Sequence, residues 1–515
     1  MAQESRVKKT LLNARVNLLF YFLTLLLSFF SRKIFLDCLG ADFVGLTGTL
    51  QNILGYLNLA ELGIGSAIGY LLYKPIFDQD HKKINEIITV MGFLYRWIGI
   101  LIITGGIIIS IFLPAIFPGN QFPMKLIFFA YFTFLGSSLI GYFINYKQIL
   151  LGADQKEYVV TAYYQSANII KTIIQLALAY YTRNLYLWIT IEFSFGIIYA
   201  LILNWKLKQT YPWLKTELSQ GRRLLKQYPD VLKKTGQLFL HKVAYLVAGQ
   251  SYNIIIYAFA NLTMVAIYGN YSMVVSKLST MISNFMGGVS ASLGNLVAEG
   301  NSKKTQDIFW KLSSFRTFIG GILFYGIYTF SNPFISLWVG TEYVLPVWIL
   351  MPYYIKVYFD YTTSTLASFL YAHGLFYDVW APFVEAIICA SVSIGCGYLW
   401  GLFGVLLGGM TSNIIINIGW KSYFLFKKGL NLELRKFYLY LFKFMAIQGA
   451  VMLTIESFSG KILLYSQRNF FNLSVSMITM VLLYSFATGF LIFVTDRGFR
   501  EFLKQLTTYL LKKNR

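Results

Sequence analysis

The residues most able to do chemistry in this chain are charges set where a bilayer makes charge expensive. Seven cations fall within long apolar stretches: Arg96, Lys171, Lys242, Lys277, Arg316, Lys356 and Lys443. A Lys or Arg at the middle of a membrane helix costs roughly 2.5–3.5 kcal/mol. Arg96, Lys242, Arg316 and Lys443 lie near the ends of their stretches and could snorkel to the interface. Lys171 and Lys277 are deeper. Lys356 is deep too, but Asp360 follows at i+4 on the same helical face and could neutralise it. Cations lining a water-filled, low-dielectric chamber would concentrate anions, and the planar fork of arginine suits phosphate oxygens. Four acids share these stretches: Glu61, Glu192, Asp360 and Glu385. They could carry protons or sodium ions in a coupled exchanger, or pair with the cations. The three histidines (His81, His241, His373) are scattered without paired-ligand spacing, so no metal or cofactor is expected. Cys389 and Cys396 sit about 10 Å apart along one helix, too far for a disulfide.

The elements that must position these charges are membrane helices. Of 515 residues, 57% are hydrophobic and only 13% charged, which excludes a soluble globular protein. Fourteen apolar stretches, from 11–30 to 473–494, are each close to or above the ~20 residues that span a bilayer. Six of the 44 Lys and Arg (Arg32, Lys33, Lys125, Arg183, Lys461, Arg468) lie in one set of alternate loops, and seven within spans. The remaining 31 lie on the other side. Loop cations fix orientation during insertion, so both termini are expected in the cytoplasm. The net charge of +22 then reflects loops facing anionic lipid, and nucleic acid is not an expected partner. The N-terminal apolar run has no small-residue cleavage site after it and reads as a retained first span.

The organisation is a duplication. Val44-Gly-Leu-Thr-Gly48 returns as Val265-Ala-Ile-Tyr-Gly269, an offset of 221, and Lys82-Lys83 meets Lys303-Lys304 at the same offset. Tyr95-Arg96 finds Phe315-Arg316 one residue out of step. A repeated unit of six spans returns to its starting side, so the copies run parallel about an axis along the membrane normal, a transporter architecture. The expected parts are an N-lobe of helices 1–6 (1–206), a basic cytoplasmic linker (207–235), a C-lobe of helices 7–12 (236–430), and helices 13–14 with a tail (431–515). The linker is expected to carry a surface-lying amphipathic helix around 214–232. The last two spans, without a partner in the repeat, are expected to be an appendage. In the tenth span Tyr353 shares a face with Lys356 and Asp360, while Tyr354, Tyr358 and Tyr361 line the other.

The chain resembles the polysaccharide-flippase branch of the multidrug/oligosaccharidyl-lipid/polysaccharide exporters, the Wzx-type O-antigen and capsule translocases. The likeness rests on Arg32-Lys-Ile-Phe35, Leu39-Gly-Ala-Asp-Phe-Val-Gly-Leu46, Leu57-Asn-Leu-Ala-Glu-Leu-Gly-Ile-Gly65 and Leu72-Tyr-Lys-Pro75. It continues through Ile267-Tyr-Gly-Asn-Tyr271, Gly294-Asn-Leu296 and Asn332-Pro-Phe-Ile-Ser-Leu-Trp-Val-Gly340. The resemblance implies an all-α polytopic membrane protein of fourteen helices. Two six-helix lobes would surround a central cavity that opens alternately to either side. It implies no enzyme, but a transporter moving undecaprenyl-diphosphate-linked oligosaccharides across the bacterial inner membrane. Arg96, Lys171, Lys277, Arg316 and Lys356 would be cavity or diphosphate contacts. Glu61, Glu192 and Asp360 are the candidates for coupling to a proton or sodium gradient or the membrane potential. Expected partners are the lipid-linked substrate, membrane lipids and other polysaccharide-assembly membrane proteins. Two alternatives stand beside this reading. A multidrug antiporter of the same fold would want an acidic cavity. A membrane-embedded glycan polymerase or glycosyltransferase would want larger outer loops than 331–344 and 456–472.

Overall fold

The structure is a computed structural model and describes residues 6–57, 64–119, 121–154, 156–228, 252–286, 293, 296–297, 300–375, 378, 380–466 and 469–513. Glu61 and Lys242 lie outside the described residues, as does most of the seventh apolar stretch. Hydrocarbon offers no hydrogen bonds, so a spanning chain must satisfy its backbone internally. Accordingly the described residues form helices with no strand. Eight of these helices are long and apolar enough to cross a membrane, one of them, Trp380–Leu430, of double length. The polytopic all-α architecture read from the sequence holds.

The chain forms two compact units, 1–254 and 255–515. The first contains α1 (Arg6–Leu39), α2 (Ala41–Leu57), α3 (Ile64–Phe77), α4 (His81–Ile116), α5 (Met124–Phe143), α6 (Ile149–Ala153), α7 (Glu157–Thr182), α8 (Leu185–Thr210) and α9 (Gly221–Gln227). Here α1 packs on α7, α7 and α5 on α8, and α3 and α5 on α4. The second contains α10 (Leu262–Met286), α11 (Ser302–Trp338), α12 (Val347–Ala372), α13 (Trp380–Asn413), α14 (Leu434–Ser466), α15 (Phe470–Thr495) and α16 (Arg497–Lys513). Its spine is α11, which packs against α12, α15 and α16.

The repeat is visible in how helices begin. The starts of α2 and α10, and those of α4 and α11, are each 221 residues apart. At the second pair, Asp80 accepts a hydrogen bond from the Lys83 amide and Asn301 accepts one from Lys304, both at 3.0 Å. A side-chain oxygen at this position satisfies an amide that the first helical turn leaves without a partner. Just beyond, Asn85 and Gln306 are also 221 apart. Asn85 donates to the Trp213 carbonyl at 3.4 Å, and Gln306 to the Leu430 carbonyl at 2.8 Å. One amide near the start of α4 thus holds the chain just after α8, and one near the start of α11 holds the end of the π turns at Leu430.

Three expectations are revised. Among its described residues, which end at 228, the linker is not one long surface helix. It holds a short turn at Leu218–Gln220 and the two-turn α9, docked on the start of α4. Lys215 N donates to Asn85 at 3.1 Å, the Tyr228 hydroxyl to Glu86 at 2.8 Å, and Trp213 stacks on His81 at 3.9 Å. These polar side chains offered the linker better partners than lipid. Secondly, α14 and α15 are built into the second unit rather than appended to it. Tyr484 stacks on Tyr325 at 4.2 Å, both wholly buried, and Gln448 bridges the Tyr358 hydroxyl and the Thr317 carbonyl. Thirdly, α11 and α14 continue through much of the outer connections expected at 331–344 and 456–472.

The eleventh and twelfth apolar stretches fold back on each other within α13. The reversal is at Trp400–Gly401, where Gly401 has φ +55°, a left-handed value natural to glycine. The two arms then cross so closely that a Cβ on Gly404 would meet the Cys396 carbonyl, and one on Gly408 the Cys389 carbonyl and Ser393 hydroxyl. Beyond Asn413 the helix runs on through wide π turns to Leu430. Tail helix α16 is fixed by Asp496, which caps it at the Phe499 amide and takes Lys443 at 2.6 Å, while Phe502 stacks on Phe315.

Replacing Gly404 or Gly408 with valine should destabilise the fold by about 3 kcal/mol or more, as overpacking against rigid backbone does. A lower melting temperature in detergent, with Gly395→Ala as the control in open space, checks this. The Arg497 hydrogen bond, with that of Lys311, holds the Glu501 carboxyl below its ordinary range. A depressed acid stabilises above its ordinary value and loses that contribution as pH falls through the depressed one. Hydrogen-exchange protection in α16, referred to the intrinsic amide rate at each pH, should therefore fall on acidification, and less so in Glu501→Gln.

Candidate functional site

Each unit carries its own polar site, so the two are described separately. In the first, α5, α7, α8 and the turn at 145–148 line an open cavity of about 400 Å³. Val160, Tyr164, Ala167, Asn168 and Lys171 line it from α7, and their spacing puts them on one helical face. Glu192, Phe195, Gly196 and Tyr199 line it from α8, with Ser137, Ser138, Ile140 and Gly141 from α5. Asn145 and Gln148 close the end near the basic loops. Gly196 is small because a Cβ there would press on Ser137 and Ile140.

At the deep end, Lys171 Nζ lies 2.7 Å from Glu192 Oε1, with the two side chains only 16% and 23% exposed. The Gln175 amide donates to the other Glu192 oxygen at 3.1 Å and to the Trp188 carbonyl at 3.1 Å. The carboxylate therefore has both a counter-charge and a second donor, and the pair carries no net charge. Lys171 was a candidate diphosphate contact and Glu192 a candidate coupling acid. The structure joins them, which leaves neither charge free for the role assigned to it alone. Gln175 could not be singled out by spacing, because its partners come from another helix.

Arg96 lies in the same unit on α4 with an exposed side chain. Among the described residues it has no carboxylate within salt-bridge distance.

The second unit places Arg316 differently. The residue is 6% exposed, and its guanidinium donates to Ser368 at 3.0 Å and Ser364 at 3.4 Å, one turn apart on α12. Among the described residues no carboxylate lies within salt-bridge distance. Two hydroxyls use few of the five N–H groups of an arginine. A buried cation without a carboxylate partner among the described residues is costly to keep out of water. The two serines are the part that charge counting missed, although their i+4 spacing was there to be read.

Lys356 and Asp360 pair at 2.7 Å, as their spacing predicts, and remain 29% and 43% exposed. Asn413 also donates to Asp360, at 2.5 Å. Farther along the same helix, Asn417 donates to Glu385 at 3.0 Å and accepts from Lys421 at 2.6 Å. Asn413, Asn417 and Lys421 form a polar i, i+4, i+8 stripe whose pattern could have flagged it. Tyr353 meets Tyr268 beside the ion pair, while Tyr354 and Tyr358 are buried on the other face, as the periodicity predicts. Lys277 lies half-buried on α10, and the groups brought together above do not include it.

Replacing Lys171 with methionine should leave Glu192 without its cation and cost about 3 kcal/mol, as breaking a buried pair does. The double variant Lys171→Met/Glu192→Gln should recover much of that loss. Thermal unfolding of the purified proteins in detergent measures both.

No protein-family model matches the chain. A Yersinia pseudotuberculosis protein with a provisional role in O-antigen export is 22% identical over 425 residues, covering 78% of this chain and 92% of that protein. Among solved structures, the lipid II flippase MurJ in an inward closed conformation matches with a TM-score of 0.63 at 15% identity. That match covers 93% of this chain and 99% of MurJ. A multidrug resistance transporter of the MATE family, in an inward-facing conformation, matches with a TM-score of 0.57 at 13% identity, covering 80% of this chain and 98% of the transporter. The chain thus has the fold of the lipid II flippase and of the MATE-family transporter, over 93% and 80% of its length.

Proposed function

We propose that this protein is a flippase that moves a lipid-diphosphate-linked oligosaccharide from the inner to the outer leaflet of the bacterial inner membrane, for surface polysaccharide assembly. The observation that carries the reading is Arg316, buried and held by two hydroxyls with no counter-ion among the described residues. A desolvated guanidinium with donors to spare is a partner for a diphosphate. Arg96, its near-counterpart in the repeat, likewise has no carboxylate partner among the described residues. The named role of the Yersinia relative in O-antigen export and the fold shared with a lipid II flippase support the same substrate class.

Sugar and diphosphate cannot cross hydrocarbon unaided, because each buried polar group or charge costs several kcal/mol. A polar chamber would carry the headgroup while the polyprenyl chain stays in lipid, and rocking of the two halves would exchange access. An outside-positive potential favours outward movement of the negative headgroup by ~2.3 kcal/mol per charge per 100 mV. Coupling to protons or sodium through Glu192 or Asp360 would require either acid to release its lysine. Those same pairs deny a cationic drug the net negative cavity it would want. Both termini would face the cytoplasm, and other polysaccharide-assembly membrane proteins would be neighbours.

Arg316→Ala should reduce surface polysaccharide at unchanged protein abundance, with Arg96→Ala acting in the same direction. Losing one charge-assisted contact, about 2 kcal/mol, corresponds to roughly thirtyfold in binding. Arg316→Lys, which keeps charge but loses the fork, should fall between. Complete repeat units should accumulate facing the cytoplasm. Normal output from the alanine variants removes these arginines from the site, and unfinished saccharide in a strain lacking the protein overturns the transport reading.

A further inference from the structure

We propose that the cavity between α5, α7 and α8 is a carbohydrate subsite that receives a neutral sugar residue of the transported saccharide. The proposal rests on the flippase reading above and adds where the sugar is recognised. The cavity carries no net charge, since Lys171 and Glu192 neutralise each other at 2.7 Å. An isolated anion would meet the Glu192 carboxylate there, and a cation would meet Lys171. Neither is the natural occupant.

What the walls offer instead is a set of amides and hydroxyls around an aromatic ring. Among the described residues, neither the Asn168 carboxamide nor the Tyr164 hydroxyl has a protein hydrogen-bond partner. Gln148 accepts from the Tyr199 hydroxyl through its oxygen at 3.3 Å, so its own N–H groups still point to other uses. Tyr164 is 52% exposed and stands edge-on to Tyr199, with centroids 5.2 Å apart. A sugar needs this combination: planar amides that donate and accept at neighbouring hydroxyls, and a ring face for its C–H surface. About 400 Å³ lies at the low end of small-molecule sites and suits a sugar or two rather than a whole oligosaccharide. From Val160 to Lys171 the lined face runs roughly 16 Å along the helix axis, so the polar walls reach from the basic-loop end to the depth of the ion pair.

The test uses the full chain in membrane vesicles, carrying Asn168→Cys, and follows its labelling by a small methanethiosulfonate reagent. Labelling is quantified at that position by peptide mass spectrometry. Two probes compete: the lipid-linked saccharide extracted from a strain lacking the protein, and undecaprenyl diphosphate without sugar. The saccharide-bearing lipid at ten times its dissociation constant should slow labelling roughly tenfold, and the sugar-free lipid should not. Equal protection by both overturns the subsite in favour of a diphosphate site. A reactive thiol that neither protects also overturns it, as a cavity that holds water only. If Asn168→Cys is poorly made, Tyr164→Cys at the exposed ring replaces it, and absence of labelling at both positions overturns the proposal as well. A deletion strain that accumulates no lipid-linked saccharide sinks the flippase reading itself, which separates that failure from failure of the subsite alone.

Discussion

A charge taken out of water must find a counter-charge or enough hydrogen bonds to replace its hydration, and in a membrane protein this requirement acts on nearly every ionic group. Four lysines in or beside spans obey it with carboxylates: Lys171 with Glu192, Lys356 with Asp360, Lys421 with Glu385 and Lys443 with Asp496. The geometry of both units follows from these meetings. The pair on α7 and α8 fixes how those two helices face each other. The pair at Asp496 sets where the tail helix begins, because the same carboxylate that takes Lys443 also caps α16. Against that background Arg316 stands out because its side chain has stayed buried on hydroxyls alone.

The same rule separates the contacts that are legible in the sequence from those that are not. Lys356 and Asp360 lie one turn apart, so their pairing is written in the spacing. Lys171 and Glu192 are twenty-one residues apart on separate helices, and their meeting depends on how each helix is rotated about its axis. Apolar sequences say little about that rotation when hydrophobic residues lie all round, as on α8, where core and lipid faces look alike. The docking of the linker is hidden for a related reason. Its basic residues suggest a surface segment, but the groups that hold it (Asn85, Thr89, Glu86) belong to the start of α4. By contrast, the duplication is legible down to single positions, because helix starts depend on local capping chemistry that a short motif contains.

Two polar sites of different character thus occupy the two units. One is neutral, walled by amides, hydroxyls and a tyrosine ring. The other holds an arginine with no carboxylate partner among the described residues and, elsewhere in the unit, a lysine–aspartate pair that stays accessible. A cargo with an uncharged saccharide and a charged diphosphate has use for both kinds of surface. The separation of chemistries follows the duplication only in part. Arg96 and Arg316 keep nearly matching positions in the repeat, but one side chain is exposed and the other enclosed.

The amides of Asn85 and Gln306 have a mechanical meaning. Each ties the entry of a long helix to a later segment of its own half, at Trp213 or Leu430, so the two cannot separate there without exposing a polar group. Near the opposite ends of the same helices stand Pro114 and Pro333, each removing one backbone hydrogen bond from its turn. A rod clamped at its base and notched near its tip flexes at the notch. The weak point of each helix therefore lies at its proline, about thirty residues from the tied end.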